Sequence, residues 1–171
     1  MQAALRALNQ LVADNVIGQY AIGGAIGASF YIDAVQTEDV DAFVFMVPTK
    51  SGLLTLSPIY DALTKLGGII ENEYVRFAEW PVQILPDAND LVREAIRDAK
   101  PVEFDSIPTR VFSAEHLCAV ALQTGRTKDY LRVVTFFEAH AVDRPLLVSM
   151  LKRHNLESTL TRVNTMMGTT Q

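Results

Sequence analysis

The stretch Tyr20-Ala21-Ile22-Gly23-Gly24-Ala25 decides how this chain is read. Residues 19–22 are short and apolar, the glycine pair closes them, and residues 25–31 carry small side chains suited to a helix packed closely on a sheet. The order is strand, tight turn, helix. Without Cβ atoms a backbone can approach a ligand, and a helix that follows aims its N–H groups at phosphate. The same pair serves equally well as a turn that needs glycine for its geometry alone.

Next comes Thr37-Glu38-Asp39-Val40-Asp41, leading into a run over residues 40–47 that holds Phe43, Val44, Phe45, Met46 and Val47 before Pro48. That composition predicts a central strand. Residues two apart on a strand point to one face, so Asp39 and Asp41 converge. Two neighbouring carboxylates are costly unless a cation lies between them, and hard oxygen ligands suit magnesium or manganese. The alternative is a solvated strand entry, with Glu38, Asp39 and Asp41 facing water and Thr37 helping to form the preceding turn.

Upstream, Leu5, Leu8, Leu11, Val12 and Val16 recur at helical spacing, and Gly18 stands where a left-handed residue would end a helix running to Ile17. Downstream, residues 56–66 read as a helix stopped by Gly67-Gly68, and strands follow near residues 73–77 and 82–85. A helix from Asn89 reaches Ala99 before Pro101 halts it. One more short strand covers residues 102–104 or 109–112. Beyond Ser113 the pattern is entirely helical, over residues 114–123, 128–140 and 144–154 and from Leu156 onward, with fraying expected over residues 165–171.

These elements predict an α+β or mixed α/β architecture. Residues 1–112 form an α/β core with flanking helices, and residues 113–171 form a C-terminal helical subdomain packed on it as one compact unit with a shared cleft. Between two of the late helices lies Gly125-Arg126-Thr127-Lys128-Asp129-Tyr130-Leu131-Arg132. Gly125 can end the first helix, Thr127 can cap the second, Asp129 suits its positive end, and Lys128 and Arg132 share a face. The cluster is either purely structural or a phosphate contact, Arg126 acting through forked hydrogen bonds and Lys128 as a point charge.

Composition narrows the classes. A net charge of -5 and a pI near 5.1 argue against a broadly basic face that coats nucleic acid. The single cysteine, Cys118, sits among Leu117, Ala119 and Val120, which predicts a buried packing role and excludes an intramolecular disulfide. No stretch approaches a membrane span and no export signal is visible, so a cytoplasmic setting with no membrane partner is expected. His116, His140 and His154 are too scattered for a zinc motif, and no nucleophile arrangement supports covalent hydrolysis.

Taken together, the Tyr20–Ala25 and Thr37–Asp41 segments resemble the paired signature of the DNA polymerase β-like nucleotidyltransferase superfamily. The stretch from Leu117 to Arg132, with Gly125-Arg126-Thr127-Lys128-Asp129, looks like the helical motif of the AbiEii-type toxin and minimal nucleotidyltransferase branch. The resemblance implies a nucleotidyltransferase-fold sheet with catalytic, metal-holding Asp39 and Asp41. It also implies nucleotide contacts from Gly23, Gly24, Arg126 and Lys128. The implied reaction moves a nucleoside monophosphate from a nucleoside triphosphate to an RNA, protein or small-molecule hydroxyl, with Mg2+ or Mn2+ as cofactor. A tRNA or protein acceptor, an antitoxin partner and a toxin–antitoxin or phage-defence setting belong to the same expectation.

Two positions depart from the family pattern. Gln83 stands in Trp80-Pro81-Val82-Gln83-Ile84-Leu85 where active members often place a third carboxylate, and a neutral amide cannot serve as a general base. Glu79 and Asp87 are the acids nearby. Ala121 replaces a lysine common in toxin-type relatives, and Arg132 stands where some members have an acid. These departures support a second reading, a catalytically degenerate protein that binds nucleotide or a partner protein without turnover.

Overall fold

The computed structural model describes residues 1–33, 37, 39–49 and 51–168. Glu38, read above as part of the acidic strand entry, lies outside the described residues, as do residues 169–171 of the tail expected to fray. Among the described residues a seven-stranded mixed sheet runs in the order β3-β4-β5-β2-β1-β7-β6. Its strands are β1 (Ile17–Ile22), β2 (Val40–Met46), β3 (Ile69–Glu71), β4 (Tyr74–Phe77), β5 (Trp80–Pro86), β6 (Lys100–Phe104) and β7 (Ile107–Val111). β2 is central, antiparallel to β1 and parallel to β5. The mixed α/β architecture expected from the sequence is present.

Alternation along β2 divides the core. Val40, Ala42 and Val44 face one side, where α1 (Gln2–Ala13) supplies Leu5, Leu8 and Leu11 and α3 (Ser57–Lys65) supplies Ile59 and Leu63. Phe43 faces the other side, among α4 (Asp90–Arg97), α5 (Ala114–Thr124), α6 (Thr127–Glu138), α7 (Arg144–Arg153) and α8 (Thr159–Met166). Period-two alternation therefore puts Asp39 and Asp41 on the face that looks toward the late helices. Cys118 is fully buried in that second core, as its neighbours predict.

Several boundaries differ from the periodicity. The first helix ends at Ala13, and the left-handed residue is Asn15 (φ 54°), because Ile17 already pairs with Met46 in the sheet. Gly18 is a strand residue. The helix after the glycine pair, α2 (Gly24–Ala28), is shorter than expected. The two alternatives for a late strand are both occupied: β6 and β7 form a hairpin in which Val102 faces Thr109. β3 escaped the sequence reading because all of its residues are exposed at the sheet edge and show no burial period.

Candidate active site

The strand–turn–helix centred on Gly23-Gly24 is built by the sheet itself. The Gly23 N–H donates to the Asp41 carbonyl oxygen at 2.9 Å, which fixes the turn against β2. Gly24 then takes φ +55°, the left-handed region where side chains are strained. An ideal Cβ on Gly24 would stand 1.8 Å from Asp41 Oδ2, so only glycine leaves room for that carboxylate. A Cβ on Gly23 would meet the Phe43 ring at 2.5 Å, a purely steric requirement.

Register completes the row. Asp41 pairs with Gln83 across β2 and β5, and Gln83 pairs with Tyr74 across β5 and β4. The amide that replaces a third acid in the resemblance is thus the immediate sheet neighbour of Asp41. Asp39 is held at the strand entry by Thr37, whose hydroxyl donates to Asp39 Oδ1 at 3.0 Å. Burial, then the like charge of Asp39, pushes the Asp41 carboxyl above the usual carboxylate range, while Arg132, Arg126 and Lys128 pull it back. Among the described residues no side chain or backbone N–H donates a hydrogen bond to that carboxylate.

The opposite wall comes from the α5–α6 junction. Gly125 ends α5 in the left-handed conformation (φ 74°), as the sequence suggests. Thr127 is the first helical residue of α6 rather than its cap; Arg126 occupies the cap position without a side-chain bond to the backbone. Asp129, 1% exposed, receives Arg126 Nε at 2.6 Å and lies 3.7 Å from an Arg132 nitrogen. A buried carboxylate thereby sets the direction of two guanidinium groups, whereas Lys128 makes no hydrogen bond or ion pair among the described residues. Asp129 is thus more than a helix-dipole charge, and its i,i+3 spacing from Arg126 is the signal of the pair in the sequence.

These two walls enclose a cleft of about 1260 Å3. Gly24, Asp39, Asp41, Gln83, Arg126 and Lys128 all line it, and so do Ala121, Arg132 and Tyr74. Gly23 does not; the Phe43 and Phe112 rings cover the side where its Cβ would stand. Glu79 and Asp87 are also absent from the lining; Asp87 Oδ1 instead accepts the Met46 N–H at 3.2 Å, at the far end of β2. Burial first, then the carboxylates Asp39, Glu73 and Asp41, raises the Tyr74 phenol above its ordinary range.

The overall fold recurs in a solved protein. An antigenic nucleotidyltransferase-like protein from Paracoccidioides brasiliensis superposes with a TM-score of 0.55, over 92% of this chain and 89% of that one, at 16% identity. This chain has the nucleotidyltransferase fold. Two structures of ANT(2'')-Ia are more distant from this nucleotidyltransferase-fold chain. The solution structure of that antibiotic-resistance factor gives a TM-score of 0.49 at 15% identity, covering 98% and 93% of the two chains. The crystal structure with adenylyl-2''-tobramycin gives 0.46 at 15% identity, covering 96% and 97%. No family model matches the sequence, and no curated protein matches it either.

In this nucleotidyltransferase-fold chain, no helix among the described residues is long and apolar enough to cross a membrane.

Proposed function

We propose that this cleft transfers a nucleoside monophosphate from a nucleoside triphosphate to a hydroxyl acceptor. The observation that carries the reading is the pairing of Asp39 and Asp41 beside the Cβ-free Gly24, facing Arg126, Lys128 and Arg132 across one cleft. The donor set fits a hard divalent cation. Asp41 is partly buried next to a like charge and takes no hydrogen bond from the described protein, a costly state for an unaccompanied carboxylate. Asp39 and Asp41 would hold Mg2+ or Mn2+, which when bound supplies charge neutralisation at the α-phosphate and acidifies the attacking hydroxyl.

The protein's own groups account for binding and orientation. Asp129 holds the Arg126 guanidinium by two hydrogen bonds, which leaves its remaining N–H groups for a triphosphate oxygen, and Lys128 adds a second positive charge in the cleft lining. The acceptor oxygen bonds to the α-phosphorus as the bond to the bridging oxygen breaks, and pyrophosphate leaves toward the basic wall. The Gln83 amide cannot take the acceptor's proton, which passes to water. The acceptor is an RNA such as tRNA, a protein or a small molecule, and the Gly125-to-Asp129 segment supports the AbiEii-like branch, with a cytoplasmic toxin–antitoxin or phage-defence role and an antitoxin partner.

One observation favours a second reading. Gln83 is the register partner of Asp41, so the position nearest the pair is neutral, which supports nucleotide or partner binding without turnover. Incubation with α-labelled triphosphates, Mg2+ and pooled tRNA, protein or polyhydroxyl compounds separates the two. Label moving into an acceptor supports transfer. Nucleotide binding with no label moved to any acceptor supports the binder.

A further inference from the structure

Away from the cleft, the fold gathers histidines that the sequence scatters. α4 carries Glu94 and, one turn on at its C-cap, Asp98; His116 lies in the first turn of α5 and His154 follows α7. His116 Nε2 is 3.5 Å from Glu94 Oε1, and His154 Nε2 is 2.8 Å from Glu94 Oε2. One ligand atom each from Glu94, Asp98 and His116 can be chosen so that all lie within 4.8 Å of one another. Three chemically suitable groups, from two helices, converge at one point, and His154 approaches from the far oxygen of Glu94.

The state of His116 makes this more than an acidic cluster. Its side chain is 6% exposed, yet Nε2 is buried without any hydrogen-bond partner and is aimed at Glu94. An orphaned buried ring nitrogen is uncommon and costs free energy unless something satisfies it. Nδ1 is already engaged by Ser113 Oγ at 2.9 Å, the kind of outer contact that fixes a ring with Nε2 presented to a metal. Burial lowers the proton affinity of the imidazole and so favours the neutral form that a metal requires.

We infer that Glu94, Asp98 and His116 form a second metal site, selective for a divalent transition metal of the zinc class, with His154 supporting it through its contact with Glu94. Mixed imidazole and carboxylate donors suit zinc, in contrast to the all-oxygen pair in the cleft. In a tetrahedral zinc site with bonds of about 2.0–2.1 Å, ligand atoms stand about 3.3 Å apart, close to the His116–Glu94 separation. Arg153, about half exposed and bonded to Glu94 Oε1 at 2.5 Å, and Arg97, bonded to Asp98, are the cations beside the site. Both can swing toward solvent when an ion takes their carboxylates. The ion would pin α4 to α5.

The test titrates zinc chloride into chelator-treated protein carrying Asp39→Asn/Asp41→Asn, which removes the cleft carboxylates from the readout. One zinc ion bound per chain is expected, with affinity falling at least tenfold on adding His116→Gln. No zinc binding, or equal binding with and without His116→Gln, overturns the site. Should His116→Gln fail to fold, histidine 15N spectra of the wild-type protein decide: zinc must shift the His116 Nε2 resonance, and an unmoved resonance at saturating zinc overturns the inference.

Discussion

An ideal Cβ on Gly24 would lie 1.8 Å from Asp41 Oδ2, so the glycine turn and the acidic strand are two halves of one steric arrangement. Gly24→Ala forces either the carboxylate or the turn to move, and it adds a left-handed alanine costing about 1–2 kcal/mol. The expected result is a melting temperature lower by several degrees together with weaker Mg2+ binding, measured by calorimetry on the same samples. Unchanged values for both would remove the link between the turn and the carboxylate.

Asp41 predicts a pH dependence with a definite sign. Its folded-state proton affinity is raised, chiefly by burial and then by Asp39, so its contribution to stability is fully present below the unfolded pKa and is lost as pH rises through the folded one. In chelator-treated protein Asp41→Asn should therefore be more stable than wild type at neutral pH. The gap should close as pH falls below the ordinary carboxylate range. Thermal melts across that range check it, and a less stable Asp41→Asn at neutral pH would oppose the assignment.

Gln83→Glu places a third carboxylate in register with Asp41. It should strengthen Mg2+ binding severalfold by adding ligand charge and lower the melting temperature of the metal-free protein by crowding like charges. If the cleft transfers nucleotides, the new general base should raise the rate on the order of 10²-fold. Metal titration and labelled-nucleotide transfer report the two effects separately, and an unchanged Mg2+ affinity would mean that Gln83 does not face the metal position.

Asp129 is 1% exposed and joins two arginines, so Asp129→Asn weakens charge-assisted hydrogen bonds and leaves the less exposed Arg132 poorly compensated. A loss of about 1.5–3 kcal/mol in denaturant unfolding is expected. Nucleotide affinity should fall in parallel, because Arg126 loses its orientation. Stability falling with affinity intact would reduce the Arg126–Asp129 pair to a structural device.

How far the sequence carried this picture depends on whether the relevant interaction is local. The strand, turn and helix around Gly23-Gly24, the convergence of Asp39 and Asp41, and the helical stop at Gly125 all follow from short-range geometry and were legible. The Asn15 turn was missed because a pairing between Ile17 and Met46 overrode the helical period. Asp129 looked like a helix-end charge because its burial depends on packing between α5 and α6. The approach of His116 to one oxygen of Glu94 and of His154 to the other joins residues far apart in the chain, which spacing alone cannot reveal.

On the proposed function, Asp39 and Asp41 bind a metal-bound triphosphate in the cleft opposite Arg126 and Lys128. Calorimetric titration of Mg2+ with a nonhydrolysable nucleoside triphosphate into wild-type and Asp39→Asn/Asp41→Asn protein tests it most directly. Binding of one nucleotide per wild-type chain and at least a tenfold loss in the double variant are expected. No binding by the wild type, or the same affinity in both proteins, would contradict it.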